Sequence, residues 1–387
     1  MSDGDPATDR GDVDLSGLRI AIAHDYLTQR GGAERVVLSL MRAFPGAPVY
    51  TTLFDPAGTY PEFGEARIIT SPLNRIPPLR KHHRAALPIL APASDRFRID
   101  ADVVVASSSG WAHGFPTTGR RLVYCHNPAR WLYQTDEYVG SSRAGRLRGL
   151  ATAPLRPFLR RWDRRAAAGA DRYVANSTVV RDRIRRTYGR DAEIVFPPHS
   201  VDVTGPQEPV PGVDPAGGFY LVVSRLLPYK NVDKVVDAFR TIDRQLLVIG
   251  HGPMRERLLR DAPHNVVLAS GVSDAQLRWA YAHASALIAP SLEDFGLTPL
   301  EAASFGTPTL ALHAGGYLDT IDPAVNGAFF ESATGDDIRT SVLSSEGRCW
   351  DRDPILTHAD HFSEAQFGRR MRRIVGELAS DAGLTDS

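Results

Sequence analysis

One feature constrains the fold of this 387-residue chain above all others: short apolar runs alternate with helical stretches, and the alternation starts twice. In the first half the runs are L-R-I-A-I-A-H (18–24), P-V-Y-T-T-L-F (48–54), A-D-V-V-V-A-S (101–107), R-L-V-Y-C-H (121–126) and R-Y-V-A-N-S (172–177). A stretch rich in Pro and Gly, V-T-G-P-Q-E-P-V-P-G-V-D-P-A-G-G, then interrupts the pattern. It restarts with F-Y-L-V-V-S-R-L (219–226), Q-L-L-V-I-G (245–250), N-V-V-L-A-S (265–270), A-L-I-A-P-S (286–291) and P-T-L-A-L-H (308–313). Strands separated by helices predict parallel sheets. The expectation is therefore an α/β chain of two doubly wound, Rossmann-like domains in series with a ligand cleft between them. The boundaries follow: a disordered tail (1–16), a first domain (17–203), a linker (204–216), a second domain (217–362) and a closing helix near the interdomain junction (363–380).

Charge is divided between the halves. Residues 1–200 hold 29 Lys+Arg against 20 Asp+Glu, and the remainder holds 16 against 25, so a formal net charge of zero hides a basic half and an acidic half. The basic half is expected to face something anionic. No nucleic-acid-binding motif accompanies the charge, so nucleic acid is not the expected partner. Two stretches concentrate it: R-I-P-P-L-R-K-H-H-R (75–84) and residues 143–165, where eight arginines interleave with Leu147, Leu150, Leu155, Phe158, Leu159 and Trp162. Such segments suit peripheral attachment to anionic lipid, and equally a solvated basic helix. The cysteines Cys125 and Cys349 lie far apart and predict neither a disulfide framework nor a zinc site. With a polar, acidic N-terminus lacking an apolar core segment, they place the protein in a reducing cytoplasm, with the inner membrane face as the alternative.

In open α/β sheets, ligands bind at the carboxyl ends of the strands, and four such places carry chemistry for a diphosphate. Gly31-Gly32 follows the first strand and opens a helix, where backbone amides can approach an anion. Arg225 and Lys230, in S-R-L-L-P-Y-K-N, can clamp a diphosphate with a guanidinium fork and an ammonium. Gly250 sits in I-G-H-G-P, either a nucleotide-side loop or a tight turn into a helix. In S-L-E-D-F-G-L-T-P-L-E (291–301), Thr298-Pro299-x-Glu301 reads as a capping box, which leaves Glu293 without a structural duty.

These residues carry a family resemblance. G-G-A-E-R-V-V (31–37), S-S-S-G-W-A-H-G (107–114), V-A-N-S (174–177), V-S-R-L-L-P-Y-K-N-V-D (223–233), I-G-H-G-P (249–253) and the E-x7-E element Glu293–Glu301 run in order along nearly the whole folded chain. The sequence resembles a retaining glycosyltransferase of family 4, with the GT-B fold of two facing Rossmann-like domains. C-H-N-P-A-R-W-L-Y (125–133) is similar to a subgroup of bacterial polysaccharide and O-antigen mannosyltransferases.

The resemblance implies transfer of a hexose from a nucleotide sugar to a hydroxyl of a glycan or lipid-linked acceptor, in cell-envelope polysaccharide or glycolipid synthesis. GDP-mannose is the first donor implied, and a UDP-sugar the second. Arg225 and Lys230 would hold the diphosphate, and Glu293, with the Phe295, Gly296 and Leu297 amides, would meet the donor sugar. Glu301 would receive the ribose, in competition with its capping role. Groups near Ser270-Gly271 would meet the base. His113 would lie near the reacting sugar, with His24, Asp25, His126 and Asn127 on the acceptor side. No metal is expected, since Arg225 with Lys230 can replace one and no D-x-D-type pair stands at a strand end. The run P-P-H-S-V-D departs from the family's hinge pattern, and His199 within it has no derivable role. Two other classes remain: a sugar-nucleotide epimerase of GT-B fold, and a non-enzymatic membrane-associated α/β scaffold.

Overall fold

The computed structural model describes residues 13–81, 90, 94–96, 98–133, 153–199 and 201–384. The chain forms two units. The first comprises Met1–Asn176, Val180–Pro197 and Ala365–Ser387, and the second Ser177–Val179 and Pro198–Glu364. The basic stretches at 75–84 and 143–165 fall partly outside the described residues.

The first unit holds a seven-stranded sheet of β1 (Ile20–His24), β2 (Val49–Thr51), β3 (Ile68–Thr70), β4 (Val103–Ser108), β5 (Arg120–Cys125), β6 (Arg172–Ala175) and β7 (Glu193–Ile194). The spatial order is β3-β2-β1-β4-β5-β6-β7, and every pairing is parallel. The order reverses direction between β1 and β4, which makes their carboxyl ends the switch point of the sheet.

β3 escaped the sequence reading because it has only three half-buried residues. The helix Glu364–Ser380 completes this unit's core. Phe367, Met371, Ile374, Val375 and Leu378 pack with Val36, Val37, Leu40 and Tyr124. At its outer edge Arg172 pairs with Glu377 at 2.7 Å and Glu193 at 3.4 Å, and Arg373 pairs with the same two carboxylates.

The second unit holds six strands: β8 (Phe219–Val223), β9 (Gln245–Ile249), β10 (Val266–Ala269), β11 (Ala286–Ala289), β12 (Thr309–Leu312) and β13 (Gly327–Phe330). Their order is β10-β9-β8-β11-β12-β13, again all parallel. Here the switch point lies between β8 and β11. The Pro- and Gly-rich segment 204–216 lies along this unit: Val210 is buried with Trp279 and Tyr281, and the Glu208 amide donates to the Ala275 carbonyl at 3.2 Å. β13 was missed because it opens on a glycine, a weak strand former. Both units are parallel, doubly wound α/β sheets of Rossmann-like order.

Candidate active site

Of the residues singled out in the second half, Arg225, Lys230 and Glu293 stand at the β8/β11 switch point. Lys230 ends the 3₁₀ turn Pro228–Lys230, and Asn231 follows in the left-handed conformation at φ 55°, which asparagine tolerates better than most residues. The Asn231 amide Nδ2 donates to the Pro290 carbonyl at 3.0 Å, which ties the loop after β8 to the end of β11. Lys230 is thereby buried, 8% exposed, and its Nζ donates to Oε1 of Glu293. Ser291 donates to the same oxygen at 2.6 Å. Among the described residues no partner is found for Oε2 of Glu293. Arg225 stays exposed on the same loop, its Nη2 donating to the Tyr229 hydroxyl at 3.3 Å.

Neighbouring loops close in on this pair through glycine. A Cβ on Gly250 would stand 1.9 Å from the Ser224 carbonyl oxygen, so the loop after β9 rests on the loop after β8, backbone against backbone. The contact is bonded both ways: the Leu226 amide donates to the His251 carbonyl at 2.8 Å and the Met254 amide to the Leu226 carbonyl at 3.1 Å. Ser270 and Gly271, exposed after β10, lie beside Arg255, whose Nε donates to Ser270 Oγ at 3.0 Å.

The capping box at Thr298 is not formed. The helix is Leu297–Ala303, its N-cap is Gly296 at φ 87°, and no side chain caps it. Gly296 reaches a conformation that threonine avoids, which starts the helix before Thr298. A Cβ on it would also strike the Tyr317 ring at 2.5 Å. Glu301 therefore turns away from the helix start, and its Oε2 accepts the Tyr281 hydroxyl at 2.7 Å. Phe295, just before this helix, is buried.

The first unit's switch point is built differently. The buried carboxylate of Asp25, at the end of β1, accepts from the amides of Ser109, Trp111 and Ala112 at 2.7, 2.8 and 2.7 Å and from the Ser109 hydroxyl at 3.0 Å. It shapes the loop after β4. His24, also buried, contacts the Ser107 carbonyl at 3.0 Å and hydroxyl at 3.1 Å through Nδ1, and its Nε2 lies 3.9 Å from Glu34.

Burial opposes charge on His24, but Glu34, Asp25 and the Ser107 carbonyl outweigh it and raise its pKa. The opposite holds for His126, whose Nε2 lies 2.8 Å from the Ser107 hydroxyl: burial, reinforced by His24, pushes it down to about 3. Asn127 is buried beside it, and burial drives the Cys125 thiol far above its ordinary value.

His113 lies in the same loop, 3% exposed, with Nδ1 3.0 Å from the Ser108 hydroxyl and Nε2 3.1 Å from Asp163 Oδ1. Both ring nitrogens face groups inside the unit. Gly31 and Gly32 open the helix Gly32–Ala43, but the Glu34 carboxylate occupies their inner side, 2.5 Å from where a Gly31 Cβ would be. An anion on those amides would meet a like charge.

Sequence reasoning missed Asn231, Ser291, Tyr281, Tyr317 and Glu34. Asn231 and Ser291 adjoin marked residues, and Glu34 stands in the quoted G-G-A-E run; that adjacency was the available signal. The tyrosines sit on separate helices with no local sign of their targets. Among the described residues no group of three or more His, Cys, Asp or Glu is arranged for a metal, and no described helix is long and apolar enough to cross a membrane.

Residues 30–204 match the family model "Glycosyltransferase Family 4", and residues 207–344 match "Glycosyl transferases group 1". Each half of the chain thus resembles a glycosyltransferase family model over part of the sequence. Curated relatives include a GDP-mannose-dependent alpha-mannosyltransferase of Mycolicibacterium smegmatis, 31% identical over 44% of this chain and 47% of that protein. A glycogen synthase of Pseudomonas fluorescens is 30% identical over 33% of this chain and 28% of its own. The chain thus spans less than a third of the glycogen synthase it matches. The fold recurs in Anabaena HepE, solved in complex with UDP (TM-score 0.67, 14% identity, 93% of this chain and 100% of that one). It recurs again in sucrose-phosphate synthase from Thermosynechococcus elongatus (TM-score 0.66, 17% identity, 94% and 99%).

Proposed function

We propose that this chain is a glycosyltransferase that moves a hexose from a nucleotide-diphosphate sugar to a hydroxyl of a glycan or lipid-linked acceptor, with retention. The observation that carries the reading is the buried Lys230 paired with Glu293, beside Arg225, at the carboxyl ends of β8 and β11. Departure of a nucleoside diphosphate builds negative charge on its β-phosphate, and fixed cations stabilise that charge without reorganising. Lys230 and Arg225 take this role, and the departing phosphate receives the acceptor's proton in a front-face reaction. Glu293 accepts a hydroxyl of the donor sugar through Oε2, Glu301 accepts the ribose, and His113 supports the loop after β4 from within.

GDP-mannose is the first donor to test, supported by the mannosyltransferase relative. UDP-sugars come second, supported by the neighbour solved with UDP. A peripheral contact with anionic lipid at the cytoplasmic face draws support from the helix Arg156–Ala168. Phe158 is 59% exposed there, among the exposed Arg160, Arg161, Arg164 and Arg165.

A thermal-shift screen of wild type and Lys230→Ala against GDP, UDP, ADP and dTDP tests the reading. A ligand at ~100 times its Kd stabilises the fold by about 2.7 kcal/mol. One nucleotide should shift the wild type and not the variant. No shift with any nucleotide would refute the donor site and favour the scaffold reading.

A further inference from the structure

We propose that buried tyrosines set the two carboxylates of the E-x7-E pair from behind: Tyr317, acting through Ser291, positions Glu293, and Tyr281 positions Glu301. The inference rests on reading the second unit as the donor-binding half.

Proton accounting gives the first relay its direction. Ser291 has one hydroxyl proton and donates it to Glu293 Oε1 at 2.6 Å. Its oxygen can still accept, and the Tyr317 hydroxyl lies 3.4 Å away. Tyr317 is fully buried, with its ring against Gly296, and burial beside Glu293 raises its phenol far above the ordinary value, so it remains a donor. Lys230 and Ser291 both engage Oε1, and Oε2, without a partner among the described residues, is left for a ligand hydroxyl.

The second relay is direct. Tyr281, 0% exposed, is stacked on Phe305 with centroids 5.8 Å apart and donates to Glu301 Oε2 at 2.7 Å. Ring packing fixes each hydroxyl, and each hydroxyl fixes a carboxylate. A neutral hydroxyl orients a carboxylate while leaving its charge intact; Lys230 supplies the counter-charge separately. Tyr317 and Tyr281 are positioning residues and touch no substrate.

The test uses the full chain as wild type, Tyr317→Phe, Ser291→Ala, the double variant and Tyr281→Phe. Calorimetric titration with GDP and UDP gives Kd, turnover of GDP-mannose and UDP-glucose gives kcat and KM, and melting curves control for folding. Tyr317→Phe and Ser291→Ala should keep nucleotide affinity and lower kcat about tenfold, the lower range seen when a partner that orients a ligating group is removed. Because Tyr317 acts through Ser291, the double variant should lose no more than Ser291→Ala alone. Tyr281→Phe should raise the nucleotide Kd about tenfold by the same analogy, with kcat at saturating donor preserved.

Unchanged kinetics, additive losses at Ser291 and Tyr317, or losses that track a fallen melting temperature would each overturn the proposal. A wild type that binds neither GDP nor UDP would refute the donor-half reading, and this one with it.

Discussion

The two sheets place their switch points at equivalent ends and furnish them in opposite ways. In the first unit, His24, Asp25 and His113 are all buried and turned toward one another's loops, so the polar groups serve mainly to hold backbone in place. In the second, Arg225 is exposed and Glu293 Oε2 has no partner among the described residues, beside loops joined through glycine contacts. A doubly wound sheet therefore supplies a location, while the chemistry depends on whether its loop-end side chains satisfy each other or leave valence for a ligand.

Four substitutions probe that contrast, from the largest effect to the smallest. Lys230→Ala should lower donor turnover by ~10²–10³, as deletion of one preorganised charge-stabilising group does elsewhere, with a small change in melting temperature. A matching loss of stability would erase the distinction between the units. Asp25→Ala should do the reverse. It strips acceptors from three amides and a hydroxyl, and each buried donor left unpaired costs about 1–3 kcal/mol. Denaturant melts should show a fall of several kcal/mol, and calorimetry an unchanged nucleotide Kd.

Gly250→Ala forces a methyl against the Ser224 carbonyl. Overpacking of this kind typically costs ~1–3 kcal/mol. Nucleotide affinity should fall with it, measured by titration, since the loop after β8 must move.

The mildest test is pH. The depressed pKa of His126, about 3 against an ordinary 6.5, means the unfolded chain binds a proton that the folded one refuses. Its stabilising share is complete above pH 6.5 and is lost as pH falls toward 3. His24, with a raised pKa, works in the other sense: its share is complete below 6.5 and is lost as pH rises through the raised value. His126→Gln should thus flatten the acid side of the stability profile in denaturant melts at pH 5 and 7. An unchanged profile would show that the ring is less desolvated than its neighbours imply.

Much of this arrangement could be read from the chain. Apolar runs located both sheets, and Lys230 and Glu293 were each marked from their own loop, but their pairing was not foreseen. The failures have definite causes. Thr298-Pro299-x-Glu301 satisfied a local rule, but a left-handed glycine moved the helix start and Tyr281 captured the carboxylate: tertiary contacts overrode a capping pattern. β3 and β13 carried too few residues, or a glycine in the wrong place, for periodicity to show. His113 was marked from its motif alone; its contact with Asp163, fifty positions along, is one that no local pattern announces.

The helix Glu364–Ser380 has a consequence for the order in which the molecule can be made. Its apolar face belongs to the core of the first unit, although its codons are read after the whole second unit. A nascent chain that has just released residues 13–197 from the ribosome still lacks Phe367, Met371 and Ile374, and leaves Val36, Val37 and Tyr124 without that cover. The second unit, contiguous from Pro198 to Glu364 apart from three residues made earlier, has all its parts once synthesis reaches its end. Domains made amino-terminus first usually also fold in that order. Here the domain begun first is the one finished last, so early truncation or a stalled ribosome exposes the half that came off it first.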